Sequence, residues 1–406
     1  MQSTASVDTS TTTQPRLPQS LAAALQAVPD PRRQASVTYP VAAILSLAVA
    51  AILANHRSVL AIAEWGRRQS ADLLAQLGFP DGHTPCQSTL QRLFVKLDGR
   101  ALSAVLTDHF APRTTPDDSR DRVQGIAIDG KSQRGRLAYD AGGSPVHALS
   151  AFCHDTGIVL AHEPIVSTGD KAEAELTVAP RLIARLDWPG RVLTGDALFC
   201  QRHLCQQVLD AGGSYLLLVR GNQPALHEAL QVLFDPPVGY PARPLQDRRV
   251  AQTVERGHGR GTETRQLAAT TDLTAYLTTE FAWPGIAQVF RFERTWSLHG
   301  QPKQQVRYGI TSLSPRIGTP ERLLAQKRGH WQIENQLHRT KDVTFGEDQS
   351  LIHCGQGPTI MALLRDTAVN LLHGHGVRKI TARLRTYSQY PERAIALTLA
   401  PLSPHA

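Results

Sequence analysis

The chain has 406 residues, 41% hydrophobic and 19% charged, enough for a sizeable core and for more than one domain. Collagen-like, coiled-coil and wholly disordered chains are excluded by that balance. Forty-three Lys and Arg against 35 Asp and Glu leave a formal charge of +8, which favours a polyanionic partner without establishing one.

Residues 1–16, rich in Ser, Thr and Gln, read as a disordered tail. Residues 17–112 carry helical signals and are expected to form a helical N-terminal domain. Pro40 opens the apolar run Tyr39–Ala54, too short for the ~20 residues of a membrane span and closed by Asn55-His56-Arg57, so a buried helix is expected. A second periodic stretch runs from Val59 through Leu77. A third begins near Ser88-Thr89, where a hydroxyl can cap the turn that follows. Its start presents Gln87, Gln91 and Arg92, side chains able to read base edges; an inert bundle fits the same pattern equally well. Five scattered cysteines form no disulfide framework, and Cys200, His203 and Cys205 lack a second ligand pair at zinc-finger spacing. With no basic-then-apolar leader, the chain reads as soluble and cytoplasmic.

Residues 113–122 are polar and Pro-containing, as a linker is. Beyond them, strands are expected at Val123–Ile128, Val146–Phe152, Gly157–Ile165, Arg191–Thr194 and Tyr215–Val219, with helices at Glu173–Leu186 and Gln201–Ala211. That order describes an α/β sheet of mixed pairing within a domain over 123–375. From about 226 to 318 the texture turns β-rich, as in an insertion, with strands at Val289–Trp296 and Gln304–Thr311. Thr319-Pro320-Glu321 then starts a helix expected to reach His338. A last helix spans Pro358–His373, and 376–406 read as a C-terminal tail.

Asp129 and Asp196 each end a strand beside a glycine, where α/β sheets gather functional groups. An isolated Asp-Gly pair is more often a cap than a ligand. Two such carboxylates brought together repel unless a cation intervenes, so a divalent-metal site is the economical reading. Glu334 lies on the late helix among His330, His338 and Lys341, with Leu323, Leu324, Trp331 and Leu337 on the apolar side. Surface ion pairs would explain that helix equally well.

The strings IDGKSQRG, LTGDALFCQ, VRGNQ, GHGR and HWQIEN-LH-DVTF-ED, in this order, resemble DDE insertion-sequence transposases of the H-repeat-associated branch. The stretch YPVAAILSLAVAAIL…AIAEW…STLQRL resembles the small domain that precedes their catalytic domain. The resemblance implies a ribonuclease-H-like catalytic domain with a β-rich insertion, preceded by a small all-α domain. It implies Asp129, Asp196 and Glu334 as the three catalytic and metal-binding acids, with Glu347 and Asp348 as rivals for the third. Two Mg²⁺ ions, replaceable by Mn²⁺, would serve cleavage and joining of DNA at the ends of an insertion sequence. A metal-dependent nuclease of the same fold, and a non-catalytic DNA-binding relic, are the alternatives. In the wider superfamily the glutamate sits in a Tyr-x2-Arg-x3-Glu-x6-Lys signature; Glu334 and Lys341 fit it, whereas Lys327 and His330 replace the tyrosine and arginine. Candidate DNA contacts are Arg92, Lys131, Arg220, Asn222, Gln223, His258, Arg260, His330 and Lys341. The expected partners are double-stranded DNA, as terminal inverted repeats and target, and a second copy of the chain; no membrane partner is expected.

Overall fold

Pro40 and the apolar run behind it act as their composition demands. After a short first helix α1 (Leu21–Ala24), the run forms α2 (Val41–Leu53), with twelve of its thirteen residues buried. The computed structural model describes residues 20–111, 123–132, 147–165, 167–168, 171–172, 174–239, 244–257, 261–298 and 301–401. The expected tail at 1–16 and linker at 113–122 lie outside them. The stretch expected as one helix from Val59 breaks into α3 (Val59–Arg67) and α4 (Ala71–Gln76), with Ser70 as the N-cap of the second. Next come α5 (Gln87–Lys96) and α6 (Gly99–Phe110), the latter capped by Asp98, which accepts from the Arg100 and Ala101 amides.

The sheet begins with an antiparallel meander, β1 (Gln124–Ser132), β2 (His147–Cys153) and β3 (Val159–Ile165). A two-residue pair follows, β4 (Ser167–Thr168) with β5 (Lys171–Ala172). Helix α7 (Glu175–Ala184) leads to β6 (Arg191–Gly195), parallel to β1; α8 (Arg202–Asp210) leads to β7 (Ser214–Val219), parallel to β6. This is the mixed α/β sheet the sequence predicts. The parallel strands are buried runs, because helices cover both faces.

The expected β-rich insertion is present, with both of its expected strands, at 289–296 and 304–311, but it also carries helices. Pro224, at a position where its missing N–H costs nothing, starts α9 (Pro224–Phe234) inside the segment read as β-rich. Strands β8 (Arg249–Gly257), β9 (Gly261–Thr270), β10 (Gln288–Leu298) and β11 (Gln301–Thr311), with α10 (Thr274–Thr279) between β9 and β10, extend the main sheet instead of standing apart from it. β11 pairs antiparallel with β7, Tyr308 opposite Val219, giving one nine-stranded sheet in the order β3-β2-β1-β6-β7-β11-β10-β9-β8. Gly309 makes that join possible. A Cβ there would lie 2.6 Å from the Leu217 carbonyl oxygen and 2.1 Å from the Phe290 ring.

Helix α11 (Pro320–Gly329) does not continue as an α-helix to His338. It widens into π-helical turns at Ile333–His338 and Thr340–Thr344, a form that concentrates at functional sites. Helix α12 (Gly357–Gly374) stops at Gly374 as expected. The segment read as a C-terminal tail instead forms α13 (Ile380–Gln389) and α14 (Pro391–Leu399). Ile380, Leu384 and Tyr387 at helical spacing, then Ala394, Ile395 and Leu397, give each helix a buried side, and α14 packs on α2.

The all-α N-terminal region shares one core with the sheet, α6 lying on β3 and α2 on α12. The edge strand β3 is closed off by Asn370, which accepts from the Val159 amide at 2.7 Å and donates to its carbonyl at 2.8 Å. Among the described residues no helix is long and apolar enough to cross a membrane.

Candidate active site

Parallel pairing of β1 with β6 aligns Ala127 with Thr194. Two residues on, Asp129 lies within β1, which continues to Ser132 instead of ending at Ile128 as expected, and Asp196 lies just past the end of β6, near enough for its charge to act on Asp129. Asp129 Oδ1 accepts from the Gly130 amide at 3.0 Å, and Asp196 caps the turn after it by accepting from the Leu198 amide at 2.8 Å. The π-helical turn brings Glu334 to the same place: all three acids line one pocket of about 680 Å³. Burial pushes the Asp129 carboxyl up to about 7, reinforced by the negative charges of Glu175, Asp196 and Glu334. Asp196 is also raised, again chiefly by burial, with Arg220 pulling the other way.

Glu175 is the acid that sequence reasoning missed. It sits in the first turn of α7 and reaches Asp129 only because residue 130 is glycine. A Cβ at Gly130 would fall 2.1 Å from Glu175 Oε1. The available signal was an acid at a helix start shortly after a strand pair. His338 approaches from the other side, its Nδ1 3.5 Å from Asp129 Oδ2. Burial, with Lys341 and Lys131 nearby, pushes that imidazole down to about 3, so it is neutral and makes no ion pair at ordinary pH.

The facing wall is basic. Arg220, Arg265, Arg294, Arg307, Lys327 and Arg328 line it, drawn from the loop after β7, from β9, β10 and β11, and from α11. Arg265 and Arg294 pair with Glu263, and Arg265 and Arg328 with Glu255, so two carboxylates offset two of these three cations. Lys327 is 7% exposed and has no carboxylate partner among the described residues; its Nζ lies 5.3 Å from the Phe292 ring centroid. Burial and the four arginines around it lower Lys327 to about 8. A buried cation without a counter-charge is costly, and an anion beside it would offset that cost. Trp331, expected on the apolar side of its helix, is 54% exposed at the rim of the pocket.

Several expected DNA contacts are otherwise engaged. Lys131 pairs with Asp342 at 2.5 Å. Lys341 is buried and pairs with Asp366 at 2.9 Å and Glu347 at 3.5 Å, so it holds the core together and cannot touch DNA. That network also accounts for Glu347, which pairs with Arg365 and lies outside the acid pocket. Asn222 donates to the Ala197 carbonyl at 2.5 Å and Gln223 to the Cys200 carbonyl at 3.0 Å, fixing the loop behind Asp196. His330 lines the pocket, but burial pushes it down to about 3, so it offers a hydrogen-bonding ring without charge. Arg220 faces the pocket, and Arg92 is exposed on α5. His258 and Arg260 lie outside the described residues.

Hard, mutually repelling carboxylates that line one pocket are the donor chemistry of Mg²⁺ or Mn²⁺. Among the described residues, however, no three such side chains close to metal-ligand distance. The acids share a pocket and one another's field, and drawing them together requires a counter-charge.

Residues 121–371 match the family model described as transposase DDE domain, and residues 22–110 match its associated domain. The transposase candidate YncI of Escherichia coli O157:H7 is 28% identical over 93% of this chain and 95% of its own length. YhhI of E. coli K12, named as an H-repeat-associated transposase candidate, is 28% identical over 88% of this chain and 91% of its own. A piggyBac transposase in a synaptic complex with hairpin DNA aligns over 92% of this chain and 78% of that one, with 11% identity and a TM-score of 0.40. The chain belongs to the family of transposases with a DDE domain, alongside the H-repeat-associated proteins of E. coli.

Proposed function

We propose that the chain cuts and joins DNA at the ends of an insertion sequence, with Asp129, Asp196 and Glu334 as the catalytic acids. The observation that carries the proposal is one pocket with these three acids on one wall and unneutralised cations on the other. The strand order β3-β2-β1-β6-β7, an antiparallel meander continued by two parallel strands, supports a ribonuclease-H-like core.

Divalent ions held by these acids would supply charge for the phosphate and a deprotonated water or 3′-hydroxyl. Glu175 keeps the field around Asp129 negative. Asp129, its carboxyl pushed up to about 7, would have to lose its proton to hold such a cation, so cation affinity is expected to rise from pH 6 to 8. Neutral His338 holds Asp129 in orientation from 3.5 Å. Lys327, Arg307 and Arg220 bind the non-bridging oxygens of a phosphate seated opposite the acids. Trp331 offers a face on which a base can stack. Gln87, Gln91 and Arg92, exposed on α5, are the groups assigned to end recognition, and joining two ends calls for two copies of the chain.

The test is an incubation of the protein and Mg²⁺ with a duplex bearing the element's terminal repeat and a supercoiled plasmid. The expected product is repeat DNA joined to plasmid. Cleavage without joining reduces the function to that of a nuclease, and neither product defeats the proposal.

A further inference from the structure

On the far side of the 330–344 segment from the acids lies a second cleft, of about 770 Å³, at the corner between α12 and α13. Its lining takes Gln332, Asn335, Gln336 and Thr340 from the back of that segment and Arg378, Lys379 and Arg385 from the corner. The cations lie beyond residue 371, where the family match ends, so membership in the family assigns them nothing. From Val377 to Tyr390 the sequence, VRKITARLRTYSQY, holds four cations and no acid. Ile380, Leu384 and Tyr387 face the core, which leaves Arg378, Lys379 and Arg385 exposed.

Among the described residues, Asp155 is the one carboxylate in the lining, against those three cations. Burial keeps His154 and His373 neutral, the former down to about 4, so neither adds charge. The side-chain amides of Gln332, Asn335 and Gln336 have no hydrogen-bond partner among the described residues, whereas Asn222 donates to the Ala197 carbonyl and Gln223 to the Cys200 carbonyl and Gln201 Oε1. Unspent amides and hydroxyls beside arginines are the donor set that grips phosphates and sugars. Asn335 lines both clefts, so a polymer leaving the acid pocket over Asn335 enters this one.

We infer that the α12–α13 cleft is a second DNA-binding site, taking duplex backbone through Arg378, Lys379 and Arg385 without reading sequence. The inference rests on the acid pocket acting on DNA, and it makes the 330–344 segment a divider with DNA on both sides.

The test is the salt dependence of duplex binding by the full chain in Ca²⁺. Each phosphate contact contributes about 0.9 to the slope of log affinity against log salt, so the Arg378→Ala/Lys379→Ala/Arg385→Ala protein should lose about 2–3 from that slope. An Arg378→Lys/Arg385→Lys protein should keep it, because charge and not shape is what counts. Comparing a duplex that ends at the terminal repeat with one carrying flanking DNA tells which segment fills the cleft. A folded triple variant with the wild-type slope on both duplexes overturns the inference and leaves the cleft to a partner other than DNA. If wild type itself does not bind duplex, the transposase reading of the acid pocket fails first.

Discussion

Asp129 concentrates the electrostatics of the site in one side chain. Folding raises its pKa from about 4 to about 7, so the native state favours the protonated form. Its contribution to stability is therefore present below pH ~4 and is lost as pH rises through about 7. Asp129→Asn, which cannot ionise, should be more stable than wild type at pH 8 by on the order of 2–4 kcal/mol, and no more stable at pH 4. Thermal melts in chelator at the two pH values check this, and a difference that is the same at both contradicts it. Adding Mn²⁺ at pH 8 should raise the wild-type melting point and move the variant far less. Lys341 makes the opposite case. Its loss strips a buried pair from Asp366 and Glu347, and Lys341→Met should cost about 3–5 kcal/mol in urea unfolding. A variant of unchanged stability but weakened DNA binding would return Lys341 to the phosphate contacts.

Elements were legible where local signals suffice. The apolar run before Gly195-Asp196 gave β6 nearly to the residue and the run before Asp129-Gly130 gave the start of β1, which continues four residues beyond its expected end at Ile128, and Thr319-Pro320 gave the start of α11. The π-helical widening at Ile333 was not legible, since 333–344 keeps ordinary helical spacing. Pairing of β11 with β7 is set by contacts some ninety residues apart, which no periodicity records. The basic wall stayed hidden for the same reason: Arg265 and Arg294 meet across β9 and β10, and Arg307 faces Phe292 across β11. Two short terminal helices were taken for a tail because Arg383, Arg385 and Arg393 interrupt their apolar residues. That error has an energetic consequence. Ile395, fully buried where α14 packs on α2, should cost about 2–5 kcal/mol when cut to alanine, measured by urea unfolding. A loss near zero would show that α14 is not part of the cooperative core.

At the scale of the whole molecule, the net charge of +8 is unevenly used. Many individual cations are paired internally, as Arg181 and Arg185 are with buried Glu163 and Arg365 with Glu347, which leaves the net charge itself unchanged. Among the described residues, cations without a carboxylate partner include Arg220, Arg307 and Lys327 beside the acids and Arg378, Lys379 and Arg385 at the α12–α13 corner. The division of labour between acids and cations is the central claim, and it can be separated experimentally. Asp196→Asn removes a cation ligand and leaves Lys327, Arg307 and Arg220 in place. Measured side by side on a terminal-repeat duplex in Mg²⁺, this variant should bind with undiminished affinity and cut nothing, while wild type binds and cuts. Cleavage by Asp196→Asn at the wild-type rate would contradict the account.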